Sequence, residues 1–468
     1  MKVTLIRPNM GRLPGGRFHE RGAMEPLEVG VVAALTPADV DVRLYDDRVE
    51  PIHYDEPTDL VGITIEVYTA KRVYEIAAQY RRRGVPVVLG GFHATLAPEE
   101  CKAHADAVVI GDAESVWADV IEDARAGRLK ALYRGGPGVP QAVGVMPRRD
   151  LFPTKGYLPV TLVQFSRGCP YPCEFCAIST YFERRHVSRP ITEVIAEIER
   201  AGRRTVFFVD DNLIVNRRAL KSLLRALIPL RLRWISQASI DMADDPELMD
   251  LMEASGCLGT VTGFESVDPA ALMAMGKTPN LRGDRWDRYQ RQVEVLRSHH
   301  LQTWAAFTLG HDHEDERSIR DTLAFASSNR FAFAAFNILT PYPGTPLYDR
   351  LAAERRLLFD GRWWLHPDYR FNDATFRPMR MTPDALTQAV SDCRRQWTSA
   401  ASIFWRMWDF KTHLSSPLRL ALYLRFNSVF RRDARDKQGM LLGTENGATG
   451  DDLSARSPAT SSSAPQAA

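Results

Sequence analysis

The chain has 468 residues, of which 45% are hydrophobic and 25% charged, with a formal net charge of +2. Its length exceeds one ordinary core and predicts two or three domains, while the near-neutral balance argues against a chain organised around nucleic acid. No uninterrupted apolar run reaches the roughly 18 residues of a membrane span, and the opening MKVTLIRPNM reads as a short strand closed by proline rather than a signal peptide.

From residue 1 to about 134, short β-branched runs (KVTLIRP, VDVRLYDD, LVGITIE, VPVVLGG, DAVVIGD) alternate with stretches of helical spacing such as MEPLEVGVVAAL and TAKRVYEIAAQYRRRG. Strand alternating with helix predicts a doubly wound, flavodoxin-like parallel sheet over residues 1–140. Ligands of such sheets bind at the carboxyl edge. That edge here carries IEVYTA, GGFHAT and GDAES, whose paired glycines let backbone approach a bulky ligand, or else serve a turn of positive φ.

A Gly/Pro-rich linker is expected over residues 141–155. Six further strand candidates follow (VTLVQFS, RTVFFVDDN, RWISQASI, LGTVTGFES, TWAAFTLGHD, FAAFNILTPYPG), with helical segments between them. Six βα units fall short of eight, so a partial (βα)6 barrel over residues 156–350 is expected, with its site at the carboxyl ends of the strands. Residues 351–442 read as mostly helical, and 443–468, rich in Ser, Ala and Gly, as a disordered tail.

Three of the six cysteines fall in one loop after the first barrel strand, SRGCPYPCEFCAIS: Cys169, Cys173 and Cys176. Close-set thiolates can hold three irons of a [4Fe-4S] cubane and leave the fourth open. A structural zinc site wants four ligands, for which His186 is the nearest candidate. Dithiol chemistry would use Cys173 and Cys176 but leave Cys169 idle. Clustered thiols of this kind suit a reducing, cytoplasmic location.

Cys-x3-Cys-x2-Cys after the first strand of a partial barrel resembles the radical S-adenosylmethionine (SAM) superfamily. The resemblance implies that SAM chelates the open iron, and that one electron, from an external donor such as flavodoxin or ferredoxin, cleaves it to a 5′-deoxyadenosyl radical. By the same resemblance, the backbone of Phe175 meets the adenine, Asp210 and Asp211 of VDDN stand where SAM's amino group is held, and Glu265 of GFES meets the ribose. Ser236 and Gln237 on the third strand are expected to face the same region. Alternatives for these positions are a ring packed beneath the loop for Phe175, a helix N-cap at Asp211 or Asn212, and a structural ion pair for Glu265. The acid- and His-rich GHDHEDE (310–316) reads as a solvated loop rather than a metal site. No catalytic side chain is assigned from the sequence.

The first domain, with ITIEVYTA, GGFHATLAPEE and VVIGDAES at its strand ends, resembles the cobalamin-binding domain of the B12-dependent branch of that superfamily, and PYPGTPLY (341–348) resembles the end of its sixth barrel strand. Gly90, Gly91, Phe92, His93, Gly111 and Asp112 are the expected cobalamin-lining residues. The chain lacks the Asp-x-His-x-x-Gly motif that supplies a histidine to cobalt in other B12 proteins. The resemblance implies transfer of methyl from cobalamin to an unactivated carbon of a small-molecule or lipid intermediate. A cyclase, oxidoreductase or rearrangement enzyme on the same cofactors, and an Fe-S sensor or binding module, are the other readings. Around Trp397, Trp405, Trp408 and Phe410, aromatics mixed with Arg and Lys suit either a cap on the barrel or peripheral contact with a membrane.

Overall fold

The computed structural model describes residues 1–11, 22–136, 144–152, 156–280 and 285–443. The tail expected over 443–468 therefore lies, but for Gly443, outside the described residues. The first sheet contains β1 (Lys2–Arg7), β2 (Asp41–Asp46), β3 (Leu60–Thr64), β4 (Val87–Gly90), β5 (Ala107–Ile110) and β6 (Leu132–Arg134), all parallel in the order β2-β1-β3-β4-β5-β6. The helices α1 (Leu27–Leu35), α2 (Ala70–Arg82), α3 (Phe92–Leu96), α4 (Pro98–Lys102) and α5 (Trp117–Arg125) connect these strands. On α2 the buried Val73, Ile76, Ala77 and Tyr80 recur at helical spacing, so a single stripe faces the sheet. Strand β6 was absent from the sequence reading because three residues carry no periodicity.

Residues 144–152, expected as linker, are packed on α1. Phe152 is buried against α1 and α5, and Arg148 N donates to Gly30 O at 3.0 Å. A Cβ on Gly30 would stand 2.9 Å from the Phe152 ring, so the glycine inside α1 admits this contact at roughly 0.5–1 kcal/mol of helix propensity. Arg149 then pairs with Glu25 (3.0 Å) of the first sheet's layer and Glu197 (2.7 Å) of the barrel, bolting the two together.

The second sheet follows as β7 (Thr161–Val163), a short antiparallel hairpin β8 (Ser166–Arg167) with β9 (Val187–Ser188), then β10 (Thr205–Phe208), β11 (Arg233–Gln237), β12 (Cys257–Glu265), β13 (Gln302–Leu309) and β14 (Phe333–Ile338). Apart from the hairpin, all are parallel in the order β14-β13-β12-β11-β10-β7. Its helices are α6 (Ala177–Tyr181), α7 (Ile191–Ala201), α8 (Arg217–Leu227), α9 (Pro246–Ala254), α10 (Pro269–Ala274), α11 (Arg285–Ser298), α12 (Glu316–Ser328) and α13 (Pro346–Ala353). This is the open six-stranded barrel expected from the sequence. Leu220, Leu223, Leu224 and Leu227 of α8 meet Trp234, Met249 and Met252 in one core on its helix side.

Beyond the barrel come α14 (Pro383–Trp397), α15 (Ala400–Met407) and α16 (Pro417–Lys437). The α14 residues Leu386, Val390, Cys393 and Trp397 join the barrel core. At the amino-terminal ends of the strands, Arg406 donates to Phe331 O and Ala332 O, and Arg419 to Leu258 O. Before these helices, Trp363, Trp364 and Tyr369 are buried in the core on the α2 side of the first sheet. There Glu100 accepts hydrogen bonds from His93 Nε2 (2.9 Å), Trp364 Nε1 (3.0 Å), Tyr74 Oη (2.7 Å) and Arg362 Nη2 (2.7 Å).

Burial opposes the Glu100 charge, but the hydrogen bonds from His93, Trp364 and Tyr74 prevail and hold its carboxyl down at about 2. A depressed acid stabilises the fold above its unfolded value, near 4.5, and loses that contribution as pH falls toward 2, about 3 kcal/mol in all. Glu100→Gln is expected to lower stability at neutral pH by about 1–3 kcal/mol and to flatten the acid limb. Urea unfolding followed by tryptophan fluorescence at several pH values reads this, and superimposable curves for variant and wild type would refute it.

Candidate functional site

The three cysteines occupy the turn between β8 and α6. Gly168 adopts φ +82°, and a Cβ there would lie 2.1 Å from Arg185 O, so the loop turns inward only with glycine. Ser179 Oγ donates to Tyr171 O (2.7 Å) and Cys176 N to Cys173 O (3.1 Å), which closes the turn. Cys173 is buried, and burial pushes its thiol up to about 12 and raises Cys169 as well. Deprotonated thiols in this setting need a cation or metal beside them. Among the described residues no three His, Cys, Asp or Glu side chains form a single-ion cage. His186 Nε2 is buried and has no hydrogen-bond partner.

Two acids after β10 hold the loop from below. Asp210 is fully buried and accepts from Phe165 N (3.1 Å), Ser166 N and Ser166 Oγ. Its neighbour Asp211 accepts from Gly168 N (2.7 Å). Burial raises both, to about 7 and about 6 respectively. Neither Asp211 nor Asn212 caps a helix: α8 is capped by Asn216, whereas Asn212 bonds Ser239. The acids are thus used locally on backbone N–H groups that no strand satisfies. Both carboxylate oxygens of Asp210 are engaged in this way.

Ser236 and Gln237 do not face the same way. Ser236 shares the helix side of β11 with Trp234, is fully buried, and donates to Phe208 O (2.8 Å). Alternation turns Gln237 to the lumen. Phe175 packs its ring against the barrel core beneath the loop. Glu265 ends β12 at φ +63°, a left-handed conformation uncommon for a side-chain-bearing residue. Its carboxylate meets Lys277 Nζ at 2.6 Å and accepts from Thr308 Oγ1 at 2.8 Å. Lys277 was missed in the sequence; it follows the short α10 in MGKTPN with no periodic signal. Burial works against its ammonium, but Glu265 and the Cys173 thiol keep it above the ordinary lysine value.

The loop is also gripped from the β13 side. Glu174, between the second and third cysteines, pairs with Arg350 (2.9 Å) and His311 (3.2 Å), and Leu347 N donates to its carbonyl. Glu314 is fully buried and accepts from Ser266 Oγ, Gly310 N and His311 N. GHDHEDE is therefore not a solvated loop: its residues His311 and Glu314 belong to a buried network that braces the cysteines.

Between this loop and the carboxyl edge of the first sheet lies a cavity of about 410 Å³. Gly90, Gly91, Phe92, Gly111 and Asp112 line it, facing Gln164, Arg167, Tyr181 and Asp211 of the barrel. Its inner end runs between the sheet and α1 along Leu5, Val31, Gly62, Val109 and Trp117. Gly62 keeps that slot open, since a Cβ would come within 2.9 Å of Leu5 and 3.2 Å of Trp117. Asp112 is engaged by Tyr181 Oη (2.9 Å) and Arg167 (3.4 Å), and Arg167 also pairs with Glu114. His93 departs from expectation: it is buried, bonded to Glu100 and set edge-on to Trp364, so it does not line the cavity. Among the described residues no histidine does. Arg7, Glu66 and Arg167 line it unforeseen, although Arg167 stands in the cysteine motif itself.

Residues 163–326 match the family model for the Radical SAM superfamily, and residues 21–121 that for the B12 binding domain. The chain is 29% identical over 394 residues to bacteriochlorophyllide d C-12(1)-methyltransferase of Chlorobaculum tepidum, covering 82% of this chain and 84% of that one. It is 26% identical over 352 residues to hopanoid C-2 methylase of Rhodopseudomonas palustris, covering 72% and 66%. The structure of TsrM from Kitasatospora setae, a radical S-adenosylmethionine methyltransferase with cobalamin and [4Fe-4S] cluster bound, superposes with a TM-score of 0.65 at 16% identity over 93% of this chain and 99% of that one, a likeness of fold.

Asp210→Ala removes the acceptor of two N–H groups and a hydroxyl beneath the cysteines, a loss of about 2–4 kcal/mol concentrated on that loop. Anaerobic reconstitution with iron and sulfide is expected to load the variant severalfold less than wild type, while its cavity still takes up cobalamin. Equal iron content in the two would show that the loop stands without this carboxylate.

Proposed function

The chain belongs to the radical SAM superfamily and carries a B12-binding domain ahead of its barrel, and from this we propose that it methylates an unactivated carbon of a polycyclic small-molecule or lipid intermediate. Its cofactors are a [4Fe-4S] cluster, SAM and cobalamin. The observation that carries the proposal is the shared cavity: Arg167, two residues before Cys169, lines the same cleft as Gly90, Gly91 and Gly111. A methyl donor in that cleft and a radical source at the cysteines would sit on either side of one space. When bound, these groups supply a 5′-deoxyadenosyl radical and a transferable methyl group.

In this reading residues 1–140 form the cobalamin half and 156–350 the radical half. Cys169, Cys173 and Cys176 would hold three irons, and buried Asp210 and Asp211 would fix the loop that carries them. Glu265 would accept hydrogen bonds from the SAM ribose, and its left-handed backbone, held by Lys277 and Thr308, keeps the carboxylate turned into the barrel. Lys277, beside both Glu265 and Cys173, would meet the carboxylate of SAM. Phe175 would offer backbone to the adenine, since its ring is already committed to the core. The glycines at the edge of the first sheet would admit the corrin, and the slot beside Gly62 and Trp117 its nucleotide tail. With His93 tied to Glu100, no histidine among the described residues lines the cleft that would hold the corrin.

The relatives named above are methyltransferases, which favours methyl transfer over ring closure on the same cofactors and over a sensor. Reduction by an external flavodoxin or ferredoxin in the cytoplasm belongs to the same proposal. No helix among the described residues is long and apolar enough to cross a membrane.

The decisive experiment reconstitutes the full chain anaerobically with iron, sulfide and cobalamin, adds SAM and strong reductant, and measures 5′-deoxyadenosine. Cys173→Ala is expected to abolish this product and the cluster absorbance while leaving cobalamin binding intact. Comparing small-molecule and lipid profiles of cells with and without the gene, grown on methyl-labelled methionine, then identifies the substrate. A product that gains no labelled methyl would favour ring closure.

Lys277→Met is expected to weaken SAM binding to the reconstituted protein by about tenfold or more, as for a lost charge-assisted pair. Calorimetric titration with SAM reads this, with the cobalamin spectrum as control. Unchanged affinity would remove Lys277 from the SAM site.

A further inference from the structure

Among the described residues, four exposed large hydrophobic side chains fall within seven consecutive residues: Phe404 (60%), Trp405 (58%), Trp408 (43%) and Phe410 (72%). Burying rings of this size stabilises a protein substantially, so four left in water in one place require a partner. The cap on the barrel expected from the sequence accounts only for Trp397, which is 1% exposed. The other rings stand at and beyond the end of α15, with Phe404 and Trp408 5.9 Å apart and Trp408 and Phe410 6.2 Å apart. They are held outward from beneath: Arg330 lies over Trp405 and donates to Trp408 O, and buried Asp409 pairs with Arg297.

The charge of this segment is as uneven as its polarity. Between residues 394 and 432 the sequence has eight Lys or Arg and a single acid, Asp409, in a chain whose net charge is only +2. Asp409 and Arg406 are buried and Lys411 pairs with Glu294, whereas Arg425 and Arg432 are exposed on α16. On α16, Ala421, Leu424, Arg425, Ser428 and Arg432 follow one another to solvent at helical spacing, and Tyr423 Oη donates to Ile403 O to fasten this helix to α15.

We propose that the surface formed by Phe404, Trp405, Trp408, Phe410 and the basic face of α16 docks the protein on an anionic lipid bilayer. Aromatic rings seated at headgroup depth, with lysine and arginine meeting lipid phosphates, match the composition of peripheral membrane anchors. A second copy of the chain fits less well, because the same basic surface would face itself. The docking surface lies at the amino-terminal ends of β13 and β14, where His300 bonds Lys411 O, and the cysteine loop lies at the opposite end of the barrel. Docking therefore tethers the enzyme without closing its cofactor cleft, and it does not depend on the cofactor reading.

The test is flotation of the reconstituted full chain with phosphatidylcholine vesicles, with and without phosphatidylglycerol, alongside the triple variant Phe404→Ser/Trp405→Ser/Trp408→Ser. Wild type is expected to float with the anionic vesicles, with tryptophan emission shifted to the blue, and to be released by high salt. The variant is expected to partition about a hundredfold less while forming 5′-deoxyadenosine as wild type does. Wild type left in solution by the anionic vesicles, or a variant that floats equally well, would overturn the proposal. So would a wild-type dimer in sedimentation that the variant abolishes, since a second copy would then cover the rings.

Discussion

Everything at the cysteine loop rests on a carboxylate with no exposure to water. Asp210 lies beneath Phe165 and Ser166, where the chain leaves the first barrel strand and cannot continue the ladder because it must turn toward the thiols. Backbone N–H groups stranded inside a protein are expensive, and so is an unpaired buried acid. Bringing the two together offsets both costs, although burial still raises the carboxyl to about 7. Asp211 repeats the arrangement one residue on, at Gly168. The loop is thereby fixed by two acids of its own chain, of which Asp211 also lines the cavity that the cofactor would fill.

A second constraint is the attitude of the first sheet to the barrel. Domain pairs joined by a linker move unless a large apolar interface prevents it. Here the sheet is held on both faces: Phe152 of the connector enters the core on the α1 side, while Trp363, Trp364 and Tyr369 enter the core on the α2 side. The ionic contacts at Glu25 and Glu100 sit beside these apolar anchors. Asp112, Tyr181 and Arg167 then join the two halves at the cleft itself. Its width is set by packing on three sides, which suits a site whose two reactive groups must keep a fixed separation.

Strand positions, the open barrel and the three thiols were legible in the sequence because each is written in local periodicity or spacing. The roles of single polar residues were not. Ser236 and Gln237 are adjacent, and the side-chain period of a strand sends them to opposite faces, which no motif records. His93 was placed correctly along the chain but turns to Glu100, because Trp364 and Arg362, more than 260 residues away, build an acid site there. His311 and Glu314 looked like surface residues because a run of charges usually is one. Their burial depends on Glu174 and Arg350 arriving from distant elements. Lys277 was silent for the same reason: only the folded loop carries it to Glu265 and Cys173.

The two ends of the barrel are finished differently. Toward the amino-terminal ends of the strands, Phe426 and Phe430 of α16 pack on Trp304 and Phe333, with ring centres 5.0 and 4.0 Å apart for Trp304–Phe426 and Phe333–Phe430. By alternation along β13 and β14, Trp304 and Phe333 stand on the same strand face as Thr308 and Asn337. Toward the carboxyl ends, Gln237 and Thr308 stay part exposed and Asn337, the penultimate residue of β14, stays exposed, although each lies within a parallel sheet that normally buries both faces. Apolar packing at one end and polar side chains at the other give the strands a polarity that matches the position of Glu265 and the thiols at their carboxyl ends.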